Sequence, residues 1–373
     1  MPSEQRPYLT EAAAFRDVSR GNPKPFTLRG DDLVKARLTP EAWRLEIVAE
    51  AGAEVEKPRR LDDSSAVDMA ALEELGKAHG VKFLKAMQCL NIPQPLGQGL
   101  WEGVPLRDVL RLAGRNKGVR RVYYHGFHNN DPKQMFRSSL SYSQVMEAAP
   151  WDLGVFVAYR LNGRPLSLQR GGPVRLIVPW AHGFKSIKWL RHITLTNDYK
   201  ANDTYAEAGN DPESYLKTAA YLDDGPHEHR AGTDVVVRGT AVVGWSGLRG
   251  VEYWLRPDAG THGRLADDDP AWKDARWQPC RLDPPPADWT AALPEGVRPQ
   301  DVWGFDRDTG RPKEWPLRFS VVGWSATLRG LAPGGYEFRA RSVDLNGYAQ
   351  PEPRPSPKSG RNEVPYRPVV VTA

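Results

Sequence analysis

Residues 170–190 read RGGPVRLIVPWAHGFKSIKWL, four cationic side chains and one histidine gathered around a very apolar run. Val174, Leu176, Ile177 and Val178 are bounded by Gly171-Gly172-Pro173 on one side and Pro179 on the other, which predicts a short core strand. Arg175 lies inside that strand. A guanidinium stays protonated and is costly to bury unpaired, so position 175 predicts an acidic partner or a bound anion. Past the strand, Gly183-Phe184-Lys185-Ser186-Ile187-Lys188-Trp189 sets two lysines three residues apart beside a glycine that permits close backbone approach. Such a loop can present N–H and ammonium groups to one phosphate. The competing reading pairs Arg175 with a structural carboxylate and leaves both lysines solvated.

Charge distribution favours the anion. Residues 81–200 carry 18 Lys or Arg against 6 Asp or Glu, whereas the whole 373-residue chain is only +5. A basic block confined to one segment and interleaved with apolar strands suits a discrete anionic ligand better than nucleic acid. There are no aromatic RNP strands, helix-turn-helix or zinc-finger spacing, so no nucleic-acid partner is expected.

The chain is 40% hydrophobic and 26% charged, an ordinary globular composition with length enough for two domains. Its 34 Gly, 33 Pro and 13 Trp describe a loop-rich, β-rich protein rather than a helical bundle. No apolar run approaches the ~20 residues a bilayer requires, and Met1–Thr10 lacks a hydrophobic signal core. No membrane span is expected, and the location expected is cytoplasmic, or periplasmic if an export signal has been removed. Cys89 and Cys280 lie far apart, which argues against a disulfide framework.

The N-terminal segment 1–40 is mostly irregular and is expected to pack on the domain that follows. Alternation at Trp43, Leu45 and Ile47 predicts a strand; Ala66, Met69, Leu72 and Leu75 predict a helix over 65–80. Strands are expected over Val81–Met87, Val122–Phe127 and Val155–Tyr159, the last followed by an Asn162-Gly163 turn, and a helix over Leu106–Ala113. This mixed α/β unit, 41–205, gives way to a polar linker, 206–230. Beyond it, candidate strands Thr233–Arg238, Val251–Leu255, Leu317–Val322, Gly335–Asp344 and Tyr366–Thr372, with Gly/Pro turns, predict a β-sandwich over 231–373. The strings AVVGWSGLRG (241–250) and SVVGWSATLRG (320–330) look like two similar strand ends.

A lone cysteine is most often a small buried hydrophobe, but in this basic block Cys89 would have its thiolate stabilised and be available as a soft metal ligand. Within KFLKAMQCLNIPQPLGQGLWEGVPLRDVL (82–110) it stands at a strand end, before an irregular loop and W-x-G-V-P-L-x-D-V-L. Then follow A-Y-x-x-N-G-x-P-L, G-G-P-V-R-L-I-V-P and G-x-K-S-x-K-W-L. This ordered set resembles the sulfite oxidase family of molybdenum enzymes over roughly residues 8–200, and FRARSVDLNGYAQP (338–351) resembles that family's dimerisation domain.

The resemblance implies an α+β chain: a mixed α/β molybdopterin-binding catalytic domain of sulfite oxidase type, then an immunoglobulin-like β-sandwich that pairs two copies. It implies that Cys89 is the protein ligand to molybdenum. Arg175, Lys185, Ser186, Ile187 and Lys188 would hold the pterin and its phosphate, with Tyr124, His125 and Arg170 at neighbouring cofactor positions. Arg170 stands where a histidine or asparagine is usual. Tyr159 matches an active-site tyrosine whose phenol can hydrogen-bond the substrate, against the plainer reading of a strand tyrosine at a core edge. Arg20, in FRDVSRGN (15–22), matches an arginine that faces the metal.

Departures bear on the substrate. Cys89-Leu90-Asn91-Ile92-Pro93-Gln94 lacks the arginine that sulfite-oxidising members carry there, and of the C-terminal arginine segment only Arg361 sits nearby. The implied activity is oxygen-atom transfer by a molybdenum-molybdopterin cofactor, without haem, on a small anionic or oxo substrate, with electrons passed to an external acceptor such as a cytochrome. Sulfite oxidation leads; an oxide reductase, for example on methionine sulfoxide, and a non-catalytic binding protein of the same fold are the alternatives. His125-x-x-His128 has no third ligand at zinc spacing, and no G-x-S-x-G nucleophile turn is present.

Overall fold

A computed structural model describes residues 7–90, 92–149, 151–257, 265–266, 269, 271, 274–351 and 363–373. Arg361 lies outside these residues.

The first half is built on two sheets. One runs Glu46–Glu50, Leu190–Thr196, Arg121–Gly126, Arg137–Ser141, its first pair parallel and the rest antiparallel. The other runs Arg175–Ile177, Phe156–Leu161, Gly97–Pro105, Val81–Met87, antiparallel throughout, with Arg164–Pro165 closing a hairpin on Phe156–Leu161. Asn162 and Gly163 make that hairpin's turn with φ of 51° and 74°, a conformation that Asn and Gly tolerate best. Leu45, Ile47, Leu106, Val122, Phe156 and Leu190 share one apolar cluster that joins the two sheets.

The helix Met69–His79 starts where the Asp68 carboxylate accepts from the Ala71 N–H at 2.8 Å, and it seats Leu72 fully in the core. The strand Gly97–Pro105 occupies the stretch expected to be irregular. Gly-Gln-Gly-Leu offers no alternation to read, and glycine is needed there for space. A Cβ on Gly103 would lie 2.0 Å from the Val157 carbonyl oxygen, beside a register shift between Glu102 and Gly103.

The second half is a two-sheet sandwich. One sheet runs Ala219–Leu222, Val235–Val242, Val321–Leu328, Arg281–Leu282; the other runs Glu228–Arg230, Tyr366–Thr372, Gly334–Val343, Gly250–Pro257, Gln278–Pro279. Burial alternates along Val235–Val242 and Val321–Leu328, as in sheets with one face in a core, here around Trp324, Phe338, Ala340 and Val369. Two sandwich strands, Ala219–Leu222 and Glu228–Arg230, come from the stretch read as a linker. Both lie at sheet edges; Glu228–Arg230 is polar, and Ala219–Leu222, although apolar, is too short to show a period.

The strand expected from Leu317 begins instead at Val321, because Phe319 has φ of 63° and breaks the extended run. The two GWS strings also part company. Gly244-Trp245 lies in a turn past one strand's end, while Gly323-Trp324 is inside the neighbouring strand.

The two halves share core. Leu216, Val242 and Phe319 belong to the first half's cluster, and Leu84 and Leu100 pack with Trp289, Leu293, Val302 and Phe305 in another. The N-terminal segment is stitched to the sheet that holds Gly97–Pro105: Arg16 N donates to Leu96 O at 2.8 Å and Thr10 N to Gln98 O at 2.8 Å. Among the described residues no helix is long and apolar enough to cross a membrane.

Candidate active site

The strand Val81–Met87 delivers Gln88 and Cys89 to the edge of the first half, and the 183–189 loop is pinned against them. The Gly183 N–H donates to Gln88 O at 2.7 Å, and a side chain at 183 would meet that carbonyl at 3.3 Å. Gln88 Nε2 donates to the carbonyls of Cys89 and Ile92 at 3.0 and 2.7 Å, which shapes the turn that presents the cysteine. Cys89 is a free, half-buried thiol, as is Cys280.

Cys89 opens into a cleft of about 140 Å³, whose walls include Arg20, Arg170, Arg175, Ser186, Ile187 and Lys188. Seven of the eleven residues singled out in the sequence thus meet at one cleft.

Arg175 is the telling member. It is 5% exposed, and its guanidinium lies over the Trp101 ring at 5.1 Å. It donates only to the Arg170 and Ser186 carbonyls, at 2.8 and 2.5 Å. Its Nε has no partner among the described residues, and no carboxylate pairs with it there. Burial, with Arg170 beside it, pushes its pKa down to about 9. A buried cation left on carbonyls alone is a site prepared for an anion.

Around it, Arg170 donates to the Phe15 and Arg16 carbonyls at 2.8 and 3.1 Å, fastening the N-terminal segment over the cleft. Lys188 reaches Asp17 at 2.9 Å, Ser19 Oγ at 2.5 Å and Gln169 O at 2.7 Å; burial and the charge of Arg175 lower its pKa to about 8. Gly171, with φ of 98°, leaves room for the Lys188 side chain, whose Cγ would lie 2.7 Å from a Cβ there. The Ser186 hydroxyl accepts from the Val178 N–H at 3.0 Å, so it braces the loop, while Ile187 is buried at the wall.

Four expected site residues stand elsewhere. Lys185 is fully buried and pairs with Asp203 at 2.7 Å while donating to Ser139 O at 3.0 Å, so its charge is already satisfied away from the cleft. Tyr124 is in the core with its hydroxyl donating to Lys185 O at 3.0 Å, and burial raises its pKa. His125 points to the opposite face of its strand and stacks on His192 at 4.9 Å; burial holds its pKa at about 4. Tyr159 is half-buried with its hydroxyl against the helix Met69–His79, where a Cβ on Gly76 would come within 2.4 Å. That is the core-edge tyrosine of the plainer reading.

Three residues escaped sequence reasoning. Arg16, in the N-terminal segment, lines the cleft and hydrogen-bonds Gln94 on the loop that follows Cys89. His128 also faces the cleft. Lys85, midway along the cysteine's strand, is wholly buried and donates to the Pro179 and Ala181 carbonyls at 2.6 and 3.2 Å. Its signal was a lysine in the apolar context Phe-Leu-Lys-Ala-Met. Among the described residues no three His, Cys, Asp or Glu side chains converge as a metal-ligand set.

Residues 33–204 match the family described as the oxidoreductase molybdopterin binding domain. Nitrate reductase (NADPH) of Fusarium oxysporum is 36% identical over 110 residues, 30% of this chain and 12% of that protein. Mitochondrial sulfite oxidase of Rattus norvegicus is 24% identical over 207 residues, 52% of this chain and 37% of that protein. The chain spans well under half the length of these curated relatives. The crystal structure of the sulfane dehydrogenase SoxCD from Paracoccus pantotrophus superposes with a TM-score of 0.59 at 18% identity, covering 90% of this chain and 79% of that one, a likeness of fold.

Residues 33–204, which contribute most of the cleft, thus resemble a molybdopterin-binding oxidoreductase domain. Within that class the chain is similar to the mitochondrial sulfite oxidases.

Proposed function

We propose that the cleft holds a molybdenum-molybdopterin cofactor and carries out oxygen-atom transfer on a small oxyanion, sulfite oxidation being the leading assignment, with electrons leaving to an external acceptor such as a cytochrome. The observation that carries this reading is Arg175, a buried guanidinium with an unpartnered Nε and no carboxylate, in the same cleft as the Cys89 thiol. Those residues fit the group: a soft sulfur donor for the metal and a dry cationic floor for an anionic pterin phosphate. Bound there, the cofactor supplies two-electron oxo-transfer chemistry.

The chain's own residues bind, orient and exclude water. Cys89 offers its sulfur from a turn fixed by Gln88. Arg175, Arg170 and Lys188 hold negative charge at the cleft floor, while Phe15 and Trp101, at 5% and 1% exposure, keep that floor dry. At the mouth, Arg16 and Arg20 present the positive field that draws in an anionic substrate. Arg16 supports the sulfite assignment specifically, because it brings a guanidinium to the post-Cys89 loop that has none of its own. In steady-state assays with an artificial acceptor, turnover of sulfite is expected; turnover of a sulfoxide with a reduced dye, and none of sulfite, would reverse the assignment.

In the same reading residues 41–205 are the catalytic unit, and the sandwich is an immunoglobulin-like dimerisation domain. Its mostly antiparallel sheets around Trp324 support the first assignment. Trp245, Leu345 and Tyr348, left 46%, 65% and 63% exposed, support the second. Light scattering should give twice the chain mass.

A further inference from the structure

Arg20 does not hang free at the cleft mouth. Its guanidinium lies 4.3 Å from the centre of the Phe136 ring and 5.1 Å from that of Tyr205, and its NH2 donates to the Tyr205 hydroxyl at 2.7 Å. Phe184 closes the third side, edge-on to Tyr205 at 4.5 Å and to Phe136 at 6.4 Å. The other N–H groups of Arg20 have no acceptor among the described residues. An exposed arginine normally samples many rotamers. Two aromatic faces and one hydrogen bond restrict this one at little cost in desolvation, because the ring faces attract a cation electrostatically.

The three rings come from three separate segments, and one buried ion pair ties them. Lys185, the residue after Phe184, donates to Ser139 O at 3.0 Å, three residues beyond Phe136. It also pairs with Asp203 at 2.7 Å, whose other carboxylate oxygen accepts from the Tyr205 and Ala206 N–H groups at 3.0 and 2.8 Å. The Thr204 N–H donates to Arg137 O at 3.1 Å, closing the ring of contacts.

We infer that Phe136, Phe184 and Tyr205 form an aromatic cradle that positions the Arg20 guanidinium to receive the substrate's oxyanion, with the Lys185–Asp203 pair as the cradle's frame. This rests on the proposed oxyanion function of the cleft. Tyr205 and Phe136 are positioning residues that act through Arg20. Preorganising the guanidinium makes anion capture cheaper, since the rotamer entropy is lost before the substrate arrives.

The test is a double-mutant cycle read as sulfate affinity by titration calorimetry on molybdenum-loaded protein, in which the cofactor would occupy the Arg175 end of the cleft. Arg20→Met should weaken sulfate binding about 10- to 100-fold and Tyr205→Phe about 5-fold, each with the melting temperature unchanged. In the Arg20→Met background, Tyr205→Phe should then have no further effect. An unchanged affinity in Tyr205→Phe, or an equal loss whether or not Arg20 is present, overturns the cradle and leaves the oxyanion reading standing. If the parent protein itself fails to bind sulfate, both fall.

Discussion

Lys85 and Arg175 are cations buried with only carbonyl oxygens as hydrogen-bond acceptors among the described residues, and the charge of Arg175 adds to burial in lowering the Lys85 pKa. Without an anion, that arrangement opposes folding. Arg175→Met is therefore expected to cut the molybdenum content of purified protein at least about 10-fold without lowering the melting temperature of cofactor-free chain, because a buried uncompensated charge is removed. Marked destabilisation of the cofactor-free variant would make Arg175 a structural residue instead. Lys85 adds a pH signature. Burial first, then Arg175, lowers its pKa from 10.5 to about 7, so between those values the unfolded chain holds a proton that the folded chain does not, and stability rises with pH across that window. Lys85→Met should erase this gradient. Its stability relative to the parent should be most favourable below pH 7 and decline by about 1 kcal/mol per pH unit above it, measured as urea midpoints.

At the scale of elements, the Lys185–Asp203 pair joins the strand Arg137–Ser141, the 183–189 loop and the segment at 203–206. Asp203→Asn keeps the shape and the local hydrogen bonds but leaves Lys185 buried without a counter-charge, so it should cost about 3–5 kcal/mol in denaturant unfolding. Gly103→Ala should cost about 1–3 kcal/mol, since the added methyl meets a strand carbonyl that cannot move aside.

Much of this was legible in the sequence where a residue's own neighbours impose the structure. Val81–Met87 and Tyr366–Thr372 have the bounds their apolar patterns predict, and Arg175's burial followed from the run around it. Lys185 was misread because its partner, Asp203, lies 18 residues away across a strand, and spacing alone cannot distinguish an ammonium aimed at a ligand from one aimed at a carboxylate. Tyr159 went wrong for a similar reason. Strand alternation fixed that it and Ala158 face opposite ways, but Gly76, which receives its hydroxyl, belongs to another element. Gly97–Pro105 pairs with the strand just before it, but its glycines break any period, and the two sandwich strands in 206–230 are too short to carry one.

Over the whole molecule, the shared core makes the two halves depend on each other. Cutting the chain after residue 205 would uncover Leu84 and Leu100, which pack against Trp289, Leu293 and Phe305. The 1–205 fragment should therefore aggregate or bind a hydrophobic dye where the full chain does not. The basic block of residues 81–200 has the same global sense: of its buried cations, Arg175 and Arg170 line the cleft, Lys188 joins them paired to Asp17, and Lys185 is held by Asp203 away from it. The decisive observation is elemental analysis of full-length protein purified from a host that makes the molybdopterin cofactor. The expected result is close to one molybdenum per chain, lost in Cys89→Ser at unchanged melting temperature; a parent protein with molybdenum near zero would contradict it.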